Sequence, residues 1–219
     1  MQTPSYPALY EAANKTSLTA QRLYLRFSAG LLFALVGAAG VVLLTPVIEM
    51  WAPVTAVVFL LAALAFELLI LSMHPEKQWY DGRAIAESVK TLTWKYQVGG
   101  DPFGVESRAG DVDEKFLRRL VEIVSDFRDL DLRPAAEVSQ ITDSMRQIRQ
   151  APLEERRAIY REGRIVDQQA WYARNSEWNR TSSVLWQIGL VVLEIAAVLG
   201  AIFRALNLLP IDAYRFLAA

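Results

Sequence analysis

Three long apolar blocks limit what this chain can fold into. Residues 27–44 carry no charged side chain, residues 54–73 carry only Glu67, and residues 184–203 carry only Glu194. Each block falls within the ~17–25 residues that a helix needs to cross a hydrocarbon layer ~30 Å thick. The sequence therefore predicts an integral membrane protein with a transmembrane helical hairpin followed, much later, by a third transmembrane helix.

The composition supports this prediction and excludes other classes. Hydrophobic residues make up 53 % of the 219 residues, and the formal net charge is −1. Such a balance is unusual for a soluble domain and lacks the basic surface typical of nucleic-acid binding. The chain has no cysteine, which excludes disulfides, thiolate metal sites and thiol nucleophiles. The expected partner is the lipid bilayer, and nucleic acid is not expected to bind.

The positions of lysine and arginine predict the orientation in the membrane. Basic residues precede the first block, follow the second and precede the third, whereas the hairpin loop carries only Glu49 and places Trp51 as an interfacial anchor. Positive residues flank the cytoplasmic ends of spans. The N-terminal segment 1–26 and the domain 74–183 are therefore expected in the cytoplasm, on either side of the hairpin 27–73. Two arginines in the short tail 204–219 run against this rule.

The cytoplasmic block begins with a predicted helix over 76–98. Its apolar stripe recurs every three or four residues and consists of Ile85, Val89, Leu92 and Tyr96. A second face consists of Trp79, Arg83, Glu87, Lys90 and Trp94, with Glu87 spaced to pair with both basic residues. The sequence GGDPFG then predicts the helix end. A phosphate-binding loop is the less favoured interpretation, because no strand precedes the glycines.

Two shorter helices and one long helix are predicted next. Residues 112–128 carry a stripe of Phe116, Leu120, Val124 and Phe127, with Asp111 and Asp113 as candidate caps. After a break at 129–134, a further stripe consists of Val138, Ile141, Met145 and Ile148. From 152 to 203 only Gly163 interrupts the helical pattern, which predicts a helix about 52 residues and about 78 Å long. No stretch has a strand pattern, so the predicted fold class is all-α.

Two motifs carry a family resemblance. The hairpin is followed by W-Y-x-x-R-x-x-A-E-S-x-K-x-x-x-W-x-Y (79–96), and Y-R-x-x-R-x-x-D-Q-x-x-W-Y-x-x-N (160–175) leads into the third block. From about residue 20 to 203, the chain resembles the SLATT superfamily of bacterial membrane proteins.

The resemblance implies a two-helix unit in the bacterial inner membrane with a cytoplasmic helical extension. It also implies a pore-forming effector of a bacterial conflict system, paired with a nucleotide-signalling partner protein. Longer relatives end with a second hairpin, so the tail 204–219 either lies at the interface or lacks a final span.

The sequence shows no constellation of catalytic or metal-binding residues. The single histidine, His74, is expected at the membrane boundary, and no enzymatic activity, cofactor or metal is predicted. The informative polar residues lie in the apolar blocks: Glu67, within reach of two N-terminal arginines, and Gln187 and Glu194 in the third. A charge near mid-bilayer costs ~2.5–3.5 kcal/mol, so Glu194 is expected to face protein or water, either lining a pore or bonding a neighbouring helix.

The predicted function is an oligomeric pore or channel gated through the cytoplasmic helices. Small residues on one face of the first and third blocks predict close helix packing, and these are Gly30, Ala34, Ala38, Ala196 and Gly200. A homo-oligomer is expected, because three spans are too few to enclose a pore. In this hypothesis the helix 76–98 braces the long helix through Trp79 and Trp94. The register of this contact is set by Arg83, Glu87 and Lys90. The long helix supplies the motif residues, structural or gating in role, which are Tyr160, Arg164, Asp167 and Trp171. The alternative is a non-conducting membrane scaffold that gathers soluble partners.

Overall fold

The computed structural model describes residues 5–44, 50–106, 108–127, 130–132 and 138–205. Within these ranges the chain forms helices and no strand, which confirms the all-α prediction. The elements in chain order are α1 (Ala8–Leu44), α2 (Ala52–Met73), α3 (Pro75–Val98), α4 (Ala109–Ser125), α5 (Asp143–Gln150), α6 (Leu153–Tyr160), a π turn (Arg161–Val166) and α7 (Asp167–Ala205).

Two helical stretches, Ala8–Val41 and Ala52–Val98, are long and apolar enough to cross a membrane. Only 17 % and 6 % of the residues in their most apolar windows are buried, so neither is the core helix of a soluble domain. Their exposed apolar side chains suit contact with lipid. The third predicted span, 184–203, lies within α7, where several side chains fall outside the described residues, and it stays a prediction.

The contacts between residues divide the chain into two units. Residues 1–32 and 64–165 form the first unit, and residues 33–63 and 166–219 form the second. In the first unit, α3 is the central helix, with α4, α5 and α6 packed against it. Its predicted apolar stripe is confirmed, because Ile85, Val89 and Tyr96 are at most 1 % exposed and Leu92 packs on the same core.

Helix α3 has sharply defined ends. His74, in the left-handed conformation with φ 45°, separates it from α2, and Pro75 occupies the first turn. At the other end Gly99 has φ 72°, and the Gly100 N–H donates to the carbonyl of Lys95 over 2.9 Å. Glycine is favoured at this position because it adopts the left-handed conformation without steric cost. The interpretation of the glycine pair as a helix stop is therefore confirmed.

Helix α1 begins well before the first apolar block and packs closely on α3. A Cβ atom at Gly82 of α3 would lie 3.1 Å from the backbone nitrogen of Ser17 and 3.2 Å from the carbonyl oxygen of Ala13. The Ser17 hydroxyl donates to the carbonyl of Trp79 over 3.1 Å. Gly82 on α3 and the small residues Ala13 and Ser17 on α1 thus allow the backbones of the two helices to pack closely.

The hairpin helices also meet through small residues. In the first unit, a Cβ atom at Gly30 would lie 2.5 Å from the Phe66 ring, and Ala34 and Ala38 of the second unit are 2 % and 8 % exposed. The prediction of close packing on this face of α1 is confirmed. The corresponding pair on the third block, Ala196 and Gly200, lies outside the residues whose side chains the structure describes.

The boundaries of the two shorter helices differ from the predictions. Helix α4 begins at Ala109, so the predicted caps Asp111 and Asp113 both lie inside it, and Arg108 takes the cap position. Helix α5 begins only at Asp143, where the Thr142 hydroxyl accepts a hydrogen bond from the Met145 N–H. Val138 therefore lies before the helix and is 43 % exposed, while the other members of its predicted stripe are buried.

Candidate functional site

The candidate site is the junction at which α3 meets α6 and the π turn. The Trp94 side chain is 2 % exposed, and its ring lies edge-on to that of Tyr160, with centroids 5.6 Å apart. Beyond Tyr160, Gly163 faces the same indole, and a Cβ atom there would lie 3.0 Å from Trp94 Cη2. Trp94, Tyr160 and Gly163 therefore form one contact between the two motifs that the sequence singled out.

The helix changes its geometry at this contact. Residues Arg161–Val166 form a π turn, whereas the sequence predicts an uninterrupted α-helix. π turns within α-helices are rare and are found frequently at functional sites. Within the turn, the Arg164 guanidinium donates to the Thr91 hydroxyl of α3 over 3.3 Å. The π turn thus lies where the long helical stretch is held against α3.

Several buried polar atoms of α3 and the π turn have no hydrogen-bond partner among the described residues. They are Trp94 Nε1, both amide atoms of Gln97 and Arg164 Nη1. Gln97 is 0 % exposed. Each buried donor or acceptor left unpaired costs ~1–3 kcal/mol. A hydrogen bond to water or to another group would remove this cost.

Two arginines hold the C-terminal end of α3. The Arg149 guanidinium donates to the carbonyls of Tyr96, Phe103 and Gly104 over 2.7–2.9 Å. The Arg156 guanidinium donates to the carbonyl of Val98, and Arg156 is 7 % exposed. Cations are stabilised at a helix C-terminus by its unpaired carbonyls and dipole. Sequence reasoning missed both residues, since neither belongs to a recognisable motif.

Tyr96 connects α3 to α4 and α5. Its buried hydroxyl donates to Asp113 Oδ1 over 2.6 Å, and the Arg146 guanidinium bonds Asp113 Oδ2 over 3.0 Å. Burial, together with the hydrogen bond to Asp113, raises the pKa of Tyr96 above its ordinary value. Desolvation lowers the pKa of Arg149, whose guanidinium lies 5.2 Å from the centre of the Tyr96 ring.

The charged face of α3 carries one ion pair within the helix and contacts with aromatic side chains of the N-terminal region. Arg83 and Glu87 form an ion pair at 2.8 Å, and the Lys90 ammonium lies 6.0 Å from the ring centre of Tyr6. Trp79 stacks on Tyr80, and its ring lies 6.2 Å from that of Tyr24 in α1. The ring contacts of Trp79 are thus with Tyr80 of its own helix and with Tyr24 of α1, and its predicted role as a brace for the long helix stays a prediction.

Comparison with known families identifies the chain. Residues 7–157 match the model of SMODS and SLOG-associating 2TM effector domain 3, which covers more than half of the sequence. The protein belongs to the SLATT family. Residues 160–219 match a second SLATT model, effector domain 1. No curated protein and no solved structure matches this chain.

The two SLATT matches meet at the junction. The first ends at residue 157 and the second begins at Tyr160, so the contact between Trp94 and Tyr160 joins the two matched regions. The predicted brace Trp94 is thus brought together with two of the four motif residues of the long helix, Tyr160 and Arg164. The other two, Asp167 and Trp171, are exposed in the first turns of α7.

The polar residues of the apolar blocks lie on different elements of this SLATT protein. Glu67 is exposed on α2, and Gln187 and Glu194 are exposed on α7. In a chain with membrane-spanning helices, an exposed carboxylate must meet water, protein or a headgroup, because lipid does not solvate it. Their roles stay predictions.

Proposed function

We propose that this SLATT protein is a membrane effector whose spans assemble into an oligomeric pore, and that the contact of α3 with α6 and the π turn controls its opening. The coarser part of this proposal, a membrane effector of a defence-associated family, follows from the family membership. The observation that carries the finer part is the buried, incompletely hydrogen-bonded junction around Trp94.

The junction has the properties of a two-state element. Four polar atoms in Trp94, Gln97 and Arg164 are buried without a partner among the described residues, at ~1–3 kcal/mol each. A second arrangement that hydrates or pairs these groups would recover this free energy. A partner that binds this second arrangement more tightly would shift the population toward it.

The element after the π turn carries the polar residues of the proposed pore. Glu194 and Gln187 lie in α7, which follows the π turn without a break in the helical residues. An ionised carboxylate facing lipid costs ~2.5–3.5 kcal/mol or more, and assembly of several copies around a water-filled path removes that cost. Close packing through small residues, as Gly30 shows against Phe66, suits such an assembly.

The remaining parts of the proposal concern place and partner. Orientation with the N-terminus and residues 74–183 in the cytoplasm of a bacterial cell, at the inner membrane, is supported by the asymmetry of lysine and arginine. A nucleotide-signalling protein is the proposed activating partner, because the family's description names SMODS and SLOG as its associates. The protein acts without catalysis or a cofactor in this proposal.

Ion flux from liposomes tests the proposal. Purified protein is reconstituted with a fluorescent reporter of monovalent cations, and the parent is compared with Glu194→Gln and with Glu177→Gln. Glu177 makes a matched control, because it is exposed on the same helix but precedes the apolar block. The parent and the control should conduct, and Glu194→Gln should assemble normally with reduced cation flux.

One result would contradict the pore, and another would contradict the role of Glu194. Absence of flux from an assembled parent in the presence of its partner favours the non-conducting scaffold. Equal flux through the parent and Glu194→Gln would show that Glu194 does not line the conduction path.

A further inference from the structure

A second site is a solvent-open cavity of about 340 Å³ that is lined by the end of α3 and parts of α4, α5 and α6. Its polar lining consists of Tyr96, Asp113, Arg146, Arg149, Gln150 and Arg156. All of these residues belong to the first unit. The volume falls in the lower part of the range of small-molecule sites, ~300–1,000 Å³.

The cavity has more positive than negative charge. Three guanidinium groups line it, and Asp113 is the carboxylate among its described lining residues, which leaves a formal charge of +2. Asp113 is already engaged by the Tyr96 hydroxyl and by Arg146. The hydrogen bonds of Arg149 and Arg156 go to backbone carbonyls, which carry no formal charge.

The two deeper arginines are held in place before any ligand arrives. Three of the five N–H donors of Arg149 are occupied by carbonyls of Tyr96, Phe103 and Gly104, which fix its plane. Arg156 is fixed in the same way by the carbonyls of Val98 and Ala151. Binding to such a preorganised site avoids the cost of ordering long side chains.

We propose that this cavity binds a small phosphate-bearing anion. Guanidinium groups match the geometry of phosphate oxygens. One phosphate monoester carries a charge of about −1.5 to −2 at neutral pH, which balances the positive charge of the cavity lining. One carboxylate would leave the lining with a net positive charge. Phosphate binding goes beyond the proposed pore and does not depend on it. The cavity is lined by Tyr96 of α3 and Arg156 of α6, the two helices that also form the proposed gating junction.

Isothermal titration calorimetry of the full chain in detergent, with sodium pyrophosphate as the probe, tests this proposal. Sodium chloride of matched ionic strength serves as the blank, because exposed charges respond to salt alone. Saturable binding is expected for the parent. The proposal is overturned if binding does not saturate at pyrophosphate concentrations up to about 10 mM, which is about ten times a dissociation constant of about 1 mM.

Three variants assign the binding to the cavity. Arg146→Gln removes one lining charge and should weaken pyrophosphate binding about tenfold, whereas Asp113→Asn removes the opposing carboxylate and should strengthen it about tenfold. Asparagine still accepts the hydrogen bond from Tyr96. Arg119→Gln is the matched control, since Arg119 is exposed on α4 and pairs with Glu122, and it should bind like the parent.

The opposite signs separate binding from folding. A merely structural defect weakens binding in both cavity variants, whereas the proposal requires Asp113→Asn to bind more tightly. Circular dichroism confirms that each variant is folded, and Asp113→Asn decides the test if Arg146→Gln does not fold. Equal affinities of the parent, Arg146→Gln and Asp113→Asn would place the anion elsewhere and refute the proposal.

Discussion

Arg156 and Arg157 are neighbours on α6 with opposite surroundings, which makes them a matched pair for substitution. Arg156 is 7 % exposed and donates to the carbonyls of Val98 and Ala151. The Arg157 side chain is 67 % exposed and pairs with Glu154 at 3.0 Å. Changing either residue to methionine removes one positive charge and keeps a long, unbranched side chain with good helix propensity.

Arg156→Met is expected to lower the free energy of unfolding by about 2–4 kcal/mol. Hydrogen bonds from a charged donor contribute ~1.5–3 kcal/mol each, but loss of the guanidinium also relieves its desolvation. An exposed helical pair such as Arg157 with Glu154 contributes only ~0.3–0.5 kcal/mol. Since 1 kcal/mol shifts the melting temperature by ~2–4 °C in a chain of this size, Arg156→Met should melt at least about 4 °C below the parent.

Thermal unfolding in detergent micelles, followed by far-ultraviolet circular dichroism, measures the difference. The measured transition is expected to report the unfolding of the helices of the first unit that lie outside the apolar blocks. Arg157→Met should melt within about 2 °C of the parent. Equal shifts in the two variants would refute the reasoning that Arg156 secures the C-terminal end of α3.

Three further predictions rest on other contacts. Tyr96→Phe removes the hydrogen bond to Asp113 and should lower the free energy of unfolding by about 1–2 kcal/mol. Because the pKa of Tyr96 is raised in the folded chain, the stability of the parent should fall above about pH 10, where the unfolded chain releases this proton. In urea titrations, the variant should lose that part of the pH dependence. Gly82→Val forces side-chain atoms against the α1 backbone and should lower the free energy of unfolding by about 1–3 kcal/mol in the same thermal assay. An unchanged melting temperature would mean that α1 and α3 can move apart without loss of stability. A cysteine at Glu49 should react with an impermeant thiol reagent in intact cells and one at Ser125 should not; labelling at Ser125 would reverse the proposed orientation.

The sequence predicts α3 and its ends well, because its periodicity, Pro75 and Gly99 all act locally. It does not predict where polar side chains find distant partners. Asp113 looked like a helix cap, but its carboxylate binds the Tyr96 hydroxyl, 17 residues away on another helix. Arg149 and Arg156 bond carbonyls at the end of α3 and in the loop after it, and no spacing in the sequence reveals such contacts.

The junction was predicted in part. Trp94, Tyr160 and Arg164 were singled out from their motifs, and the structure brings them together. The π turn was not predicted, because a lone Gly163 in a long helical pattern carries no signal for it. The π turn lies where the indole of Trp94 packs against Gly163, and this contact is not visible in the sequence.

Single-channel recording of the purified full chain in planar bilayers tests the central claim most directly. The account predicts unitary current steps for the parent. Trp94→Phe, which removes the buried indole N–H, should change the open probability and leave the unitary conductance unchanged, because Trp94 lies in the junction, outside the apolar blocks. Glu194→Gln should instead change the unitary conductance or the cation preference. Persistent absence of steps from protein that is folded, assembled and supplied with its partner would contradict the pore and favour the scaffold.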